Sequence, residues 1–227
     1  MKIEVPIISA FVDGDSGGNP AGVVLHAERF SSAEKQKIAA AVGLSETAFV
    51  SPSDSADIKL EFFTPTQQIP HCGHATIATF SFLRQKGLLA NDRSSKETID
   101  GLRTVNTEGE AAYMEQKGPR FEPLDENDLH TALLSLGITA EDLIEGAEPM
   151  LVNTGNSFVM LGIRDSETIK SLEPDFSLIE KLSEALDLIG LYVFSLDGVG
   201  AGRDAGARMF APRYGILEES ATGMAAG

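Results

Sequence analysis

The residues best equipped for chemistry sit in one stretch, FTPTQQIPHCGHATIATFSF at 63–82. It holds the single cysteine, Cys72, between two of the four histidines, His71 and His74. A thiol acts as base or nucleophile only as the thiolate, and the free N–H groups of a helix start favour that form and attract anions. The stretch has that layout: a strand end, a turn carrying Pro65 and Pro70, then Gly73 and a run of small and apolar residues. Ala75, Ile77, Ala78, Phe80, Phe82 and Leu83 cover most of a helical circumference, so the helix is expected to be buried all round. Such a helix can activate the thiol at its start, or can simply bury it as a small hydrophobe. His71 and His74 are three apart with no third ligand nearby, so no metal site is expected.

The elements that must hold this stretch read as an α+β chain. Residues 3–12 alternate as a first strand, closed by Asp13-Gly14-Asp15 and Gly17-Gly18. Asn19-Pro20 reads as turn chemistry before a short strand at 23–25. Ser31 and Glu34 form a capping box for a helix that Gly43 ends. Strands follow to Val50 and over 58–63, and short β segments over 98–114 turn at Gly101 and Gly109. Residues 119–123 look like a linker, which divides the chain into domains 1–118 and 119–227. Beyond it, Asn127 or Asp128 opens a helix stopped by Gly137, Thr139 and Asp142 open a shorter one, and 175–187 is amphipathic. Without a βαβ rhythm a doubly wound sheet is not expected.

Composition narrows the function. The 34 acidic residues against 18 basic ones give a formal charge of −16. That argues against nucleic acid or an anionic membrane surface as partner. One cysteine rules out an intrachain disulfide framework. The start MKIEVPIISAFVDG lacks the apolar core of a signal peptide. No stretch nears the ~18–20 apolar residues of a membrane span. A soluble, cytoplasmic protein is expected. GAGRDAG at 200–206 is too irregular for a phosphate loop.

The second half echoes the first. FTPxxxI at 63–69 is matched by FAPxxxI at 210–216, and Cys72-Gly73-His74 by Ser220-Ala221-Thr222-Gly223. Two copies of one unit would set two helix starts facing each other, able to hold a carboxylate by N–H groups and dipole. Acid/base groups on either side of the held carbon could then remove and return a proton.

On these residues the chain resembles the PhzF-like (phenazine biosynthesis) family, within the diaminopimelate epimerase fold. The matching pieces are GNPAGV at 18–23, LSETAF at 44–49, FTPTQQIPHCGHAT at 63–76, RMFAP at 208–212 and EESATG at 218–223. The resemblance implies two domains, each a mixed sheet around a central helix, with the site between them, a homodimer, and no cofactor. It places Glu46 at the family's acid/base carboxylate and His74 at the histidine that opens the central helix. Gly73 and Gly223 fall at the two anion-binding helix ends, and Glu219 stands where the family usually has an Asp.

Several positions depart from the family pattern. Met224 replaces a Ser common after the second TG. Cys72 is absent from the phenazine enzymes but matches the first catalytic cysteine of the epimerases. The place of their second cysteine is Ser220, a far weaker acid, so a symmetric two-thiol racemase is not expected. The second domain looks incomplete, since its central helix has barely begun at Gly227. The expectation is a cofactor-independent isomerase or epimerase moving a proton beside a carboxylate or conjugated system of a small acid. Glu46, Cys72 and Glu219 are its candidate catalytic residues, and Asn19, Gly73, His74, Ser220, Thr222 and Gly223 its candidate substrate contacts. The alternative is a non-catalytic small-molecule binder or interaction protein that keeps the fold.

Overall fold

A computed structural model describes residues 3–197 and 202–226; Gly200 and Ala201 of the GAGRDAG stretch lie outside the described residues. The chain forms two units. One comprises Met1–Gln116 with Ala221–Ala226, the other Lys117–Ser220. Residues 221–226, expected from the sequence in the second domain, thus pack in the first unit, where Met224 and Ala225 are buried.

The first unit contains β1 (Ile7–Asp13), β2 (Ser16–Val24), α1 (Ser32–Val42), β3 (Thr47–Ser51), β4 (Ile58–Phe63), β5 (Gln68–Ile69), α2 (Gly73–Gln85), β6 (Arg93–Thr98), β7 (Gly101–Glu108) and β8 (Ala111–Met114). The strands form one mixed sheet in the order β1-β2-β3-β4-β6-β7-β8, with β5 folded back on β4. The β2/β3 and β4/β6 pairs are parallel and the rest antiparallel. Helix α2 touches β1 and β2 at one end of this order and β7 and β8 at the other, so the sheet curls around it. That accounts for the apolar residues around most of its circumference: nine of its thirteen residues are buried. A second cluster forms between the sheet and α1, where Phe49 and Phe63 meet edge to face at 5.3 Å beside Phe30 and Ala39. The capping box at Ser31 and Glu34 is reciprocal, and Gly43 ends α1 at φ 72°, a left-handed conformation that costs glycine little.

Asn19-Pro20 is not a turn. Both residues lie inside β2, with Pro20 opposite Ser9. The second neighbour, β3, pairs only with Gly22, Val23 and Val24, so the missing N–H of Pro20 interrupts no ladder on that side.

The second unit contains β9 (Arg120–Pro123), α3 (Glu126–Leu136), β10 (Met150–Asn153), β11 (Ser157–Gly162), α4 (Ser166–Ser171), α5 (Phe176–Ala185), β12 (Gly190–Ser195), β13 (Gly206–Ala211) and β14 (Ile216–Glu219). Its sheet runs β14-β13-β12-β11-β10-β9, and only β11/β12 is parallel. Ala132, Leu136, Ile169, Ile179 and Leu182 from the helices pack with Val159, Leu161, Leu191, Val193 and Phe210 from the sheet. The expected linker at 119–123 is instead the edge strand β9, whose four residues are exposed and carry no periodicity to reveal it. The cap of α3 is Asp125, not Asn127 or Asp128; its carboxylate accepts from the Asp128 N–H. Thr139 and Asp142 box only a single 3-10 turn.

The sequence echo has a structural counterpart in chain order. Phe63 ends β4, β5 turns back on it and α2 follows; Phe210 lies next to last in β13, β14 turns back on it and α6 (Gly223–Ala226) follows. No helix among the described residues is long and apolar enough to cross a membrane.

Candidate active site

Two loops of the first unit bring the chemistry together. Glu46 immediately precedes β3, next to the position where β2 and β3 begin to pair, and the Gly22 N–H donates to its carbonyl. Cys72 is the N-cap of α2, in extended backbone, so its thiol stands at the helix start and His74 lies in the first turn. The carboxylate, thiol and imidazole atoms all fall within 4.8 Å of one another, and all three residues are 5–6% exposed.

The order of contacts matters. Cys72 Sγ lies 3.5 Å from His74 Nδ1, and Glu46 Oε2 lies 3.4 Å from His74 Nε2. Thiol and carboxylate thus address opposite nitrogens of one ring. A metal ion takes one imidazole nitrogen, so this layout suits passage of a proton better than convergence on an ion. Burial pushes the His74 imidazole down to about 4, against a hydrogen bond to the Pro20 carbonyl that favours the charged ring. A neutral ring makes the His74–Glu46 contact a carboxylate–imidazole approach and not an ion pair. At 3.4 Å it is longer than an ordinary hydrogen bond, as such contacts commonly are before substrate tightens them.

The helix starts flank this cluster. A Cβ on Gly73 would come within 2.6 Å of Met224 Cγ, so α2 and α6 approach each other with the Met224 side chain against the bare Gly73. A Cβ on Gly223 would come within 2.6 Å of Phe11 Cζ. Phe11, Tyr113, Ile77 and Gln116 line a cavity of about 210 Å³ that both glycines border. Gln116 Nε2 is 3.5 Å from the Gly223 carbonyl. Asn19, 2% exposed, donates to the Ala221 carbonyl at 3.2 Å and so ties β2 to residues 221–226.

The structure therefore gathers Glu46, Cys72, His74, Gly73, Gly223 and Asn19 within the first unit. Thr222 precedes α6 in the same unit and is half-buried. Glu219, half-buried at the end of β14, and the exposed Ser220 belong to the second unit.

Sequence reasoning missed Lys96. It sits in β6 with its side chain fully enclosed, donating from Nζ to Thr76 Oγ1 at 2.6 Å, with His71 Nδ1 at 3.3 Å and the Phe62 ring centroid at 5.3 Å. Burial pushes its ammonium down to about 7, and the negative potential of Cys72 works the other way. The inward face of β6 is Ser94, Lys96 and Thr98, with no apolar alternation, so the β segments expected over 98–114 begin too late to include it.

Comparison with known proteins identifies the family. A family model described as "Phenazine biosynthesis-like protein" (PhzC-PhzF) matches residues 8–227. The uncharacterized isomerase YddE of Escherichia coli O157:H7 is 35% identical over all of this chain and 77% of its own length. The trans-2,3-dihydro-3-hydroxyanthranilate isomerase of Pseudomonas chlororaphis is 32% identical over 97% of this chain and 76% of its own. The crystal structure of a Bacillus anthracis phenazine biosynthesis protein of the PhzF family superposes with a TM-score of 0.89 at 29% identity, over all of this chain and 78% of the other. The architecture is thus α+β, with two domains of the diaminopimelate epimerase type. The chain belongs to the phenazine biosynthesis-like PhzC-PhzF family and is an enzyme of the isomerase class.

Proposed function

We propose that the protein isomerises a small carboxylate-bearing acid without a cofactor, by moving one proton at a carbon beside the carboxylate or its conjugated system. The observation that carries this reading is the buried Glu46–His74–Cys72 cluster, with its carboxylate, thiol and ring atoms within 4.8 Å of one another. In the proposal the Glu46 carboxylate takes the proton and returns it, to the same carbon or to one along the conjugated system. Stereoinversion and double-bond migration both begin with this step. His74 orients Glu46, and Cys72 or Glu219 serves as the partner on the opposite face. The N–H groups around Gly73 and Gly223 hold the substrate carboxylate, aided by Asn19, Ser220 and Thr222. The name of the Pseudomonas relative, a trans-2,3-dihydro-3-hydroxyanthranilate isomerase, supports a small acid as substrate. A cytoplasmic homodimer completes the reading.

The test is hydrogen exchange. The protein is incubated in D₂O with a panel of amino and cyclic acids, and deuterium uptake is followed by mass spectrometry and NMR. Uptake at a carbon beside the carboxylate or in its conjugated system is expected with wild type. Glu46→Gln, which keeps the shape and loses the base, is expected to lose at least about 100-fold in rate. Equal uptake in wild type and Glu46→Gln would remove Glu46 from the reaction.

A further inference from the structure

Lys96 has no part in the reaction as proposed, yet its charge is the one most completely removed from water in the first unit, at 0% exposure. Its contacts include a hydroxyl, a ring nitrogen and an aromatic face. A buried ammonium is costly and either sheds its proton or stands near a group that can carry negative charge. Two groups favour its charge, Cys72 more strongly and then Asp100, and Asp100 is already ion-paired with Arg103. Lys96 and Cys72 are also tied mechanically: Thr76 accepts from Lys96 and donates to the Cys72 carbonyl, at 2.6 Å in each case, which fixes both around the first turn of α2.

We propose that Lys96 is a positioning residue for Cys72, its enclosed ammonium holding the thiol as a thiolate and so readying it as the second base of the isomerisation. Only a proton moves: it leaves Sγ for solvent, and no other bond changes. The start of α2 acts in the same direction, because Cys72 is its N-cap. The groups around the pair pull both ways. Glu46, beyond His74, opposes a second negative charge, and the neutral His74 ring adds none. His71 touches Lys96 Nζ, while Arg103 favours loss of the Lys96 proton and Asp100 its retention. The inference rests on the isomerase reading for its purpose but not for its test.

Cys72 is the only cysteine, so the difference in thiolate ultraviolet absorbance between wild type and Cys72→Ser reports this residue alone. Over a pH titration, Lys96→Met is expected to raise the thiolate midpoint by at least about one unit, which leaves roughly tenfold less thiolate between the two midpoints. The same midpoint in both proteins overturns the proposal. A second measurement needs no substitution at Lys96. The coupling is mutual, so the Lys96 Cε resonance should titrate at lower pH in Cys72→Ser than in wild type. Identical Lys96 midpoints also overturn it. Both readouts stand whether or not any substrate turns over, so failure here is separable from failure of the hydrogen-exchange test.

Discussion

A neutral imidazole can accept a proton at one nitrogen while releasing one from the other, whereas a protonated ring can only donate. His74 lies between Glu46 Oε2 and Cys72 Sγ, and its burial holds the folded-state pKa near 4, below the ordinary 6.5. That depression has a sign in stability. The unfolded chain takes up the proton as pH falls through 6.5, while the folded chain resists until about 4, so acid favours unfolding across that window. The contribution is fully present above 6.5 and is lost as pH falls toward 4. Urea unfolding at neutral pH and at the acid end of the window, for wild type and His74→Gln, should show wild type losing on the order of 3 kcal/mol more than the variant. Equal losses would place the titrating burden on other groups.

Helix α2 is the element on which the site depends, since it carries Cys72 and His74 and the first sheet curls around it. Phe80, fully buried near its middle, should therefore cost about 3–5 kcal/mol as Phe80→Ala, whereas Leu134→Ala on the 56% exposed face of α3 should cost under about 0.5 kcal/mol. Thermal or urea unfolding of the two variants checks the contrast, and comparable losses would contradict the central place of α2. This helix was legible in the sequence because its apolar residues spread around the whole circumference, a pattern that a helix enclosed on all sides requires. Glu46, Cys72 and His74 were legible as types and motif positions. Their order along one imidazole was not, because it depends on β3 and α2 meeting across residues far apart in sequence. Lys96 was invisible for a different reason. A lysine among Ser, Ser, Glu and Thr carries no sign of burial, and only the curl of the sheet toward α2 encloses it. Strand β9 is silent in the sequence for want of any burial to impose a pattern, and Pro20 reads locally as a turn because its one-sided pairing depends on distant strands.

For the whole molecule, a formal charge of −16 sets the terms of any association with a second copy. Two such chains repel, and the repulsion weakens as the screening length falls from ~30 Å at 0.01 M salt to ~3 Å at 1 M. Apolar contact does not weaken over that range, so the proposed homodimer should tighten as salt rises. Sedimentation equilibrium across a sodium chloride series is the measurement. An association constant that rises with salt is expected, and one that falls would mean that the interface is held by opposite charges that outweigh the net repulsion. A chain that stays monomeric throughout the series would remove the dimer from the proposal while leaving the Glu46–His74–Cys72 cluster intact, because all three residues come from a single unit of one chain.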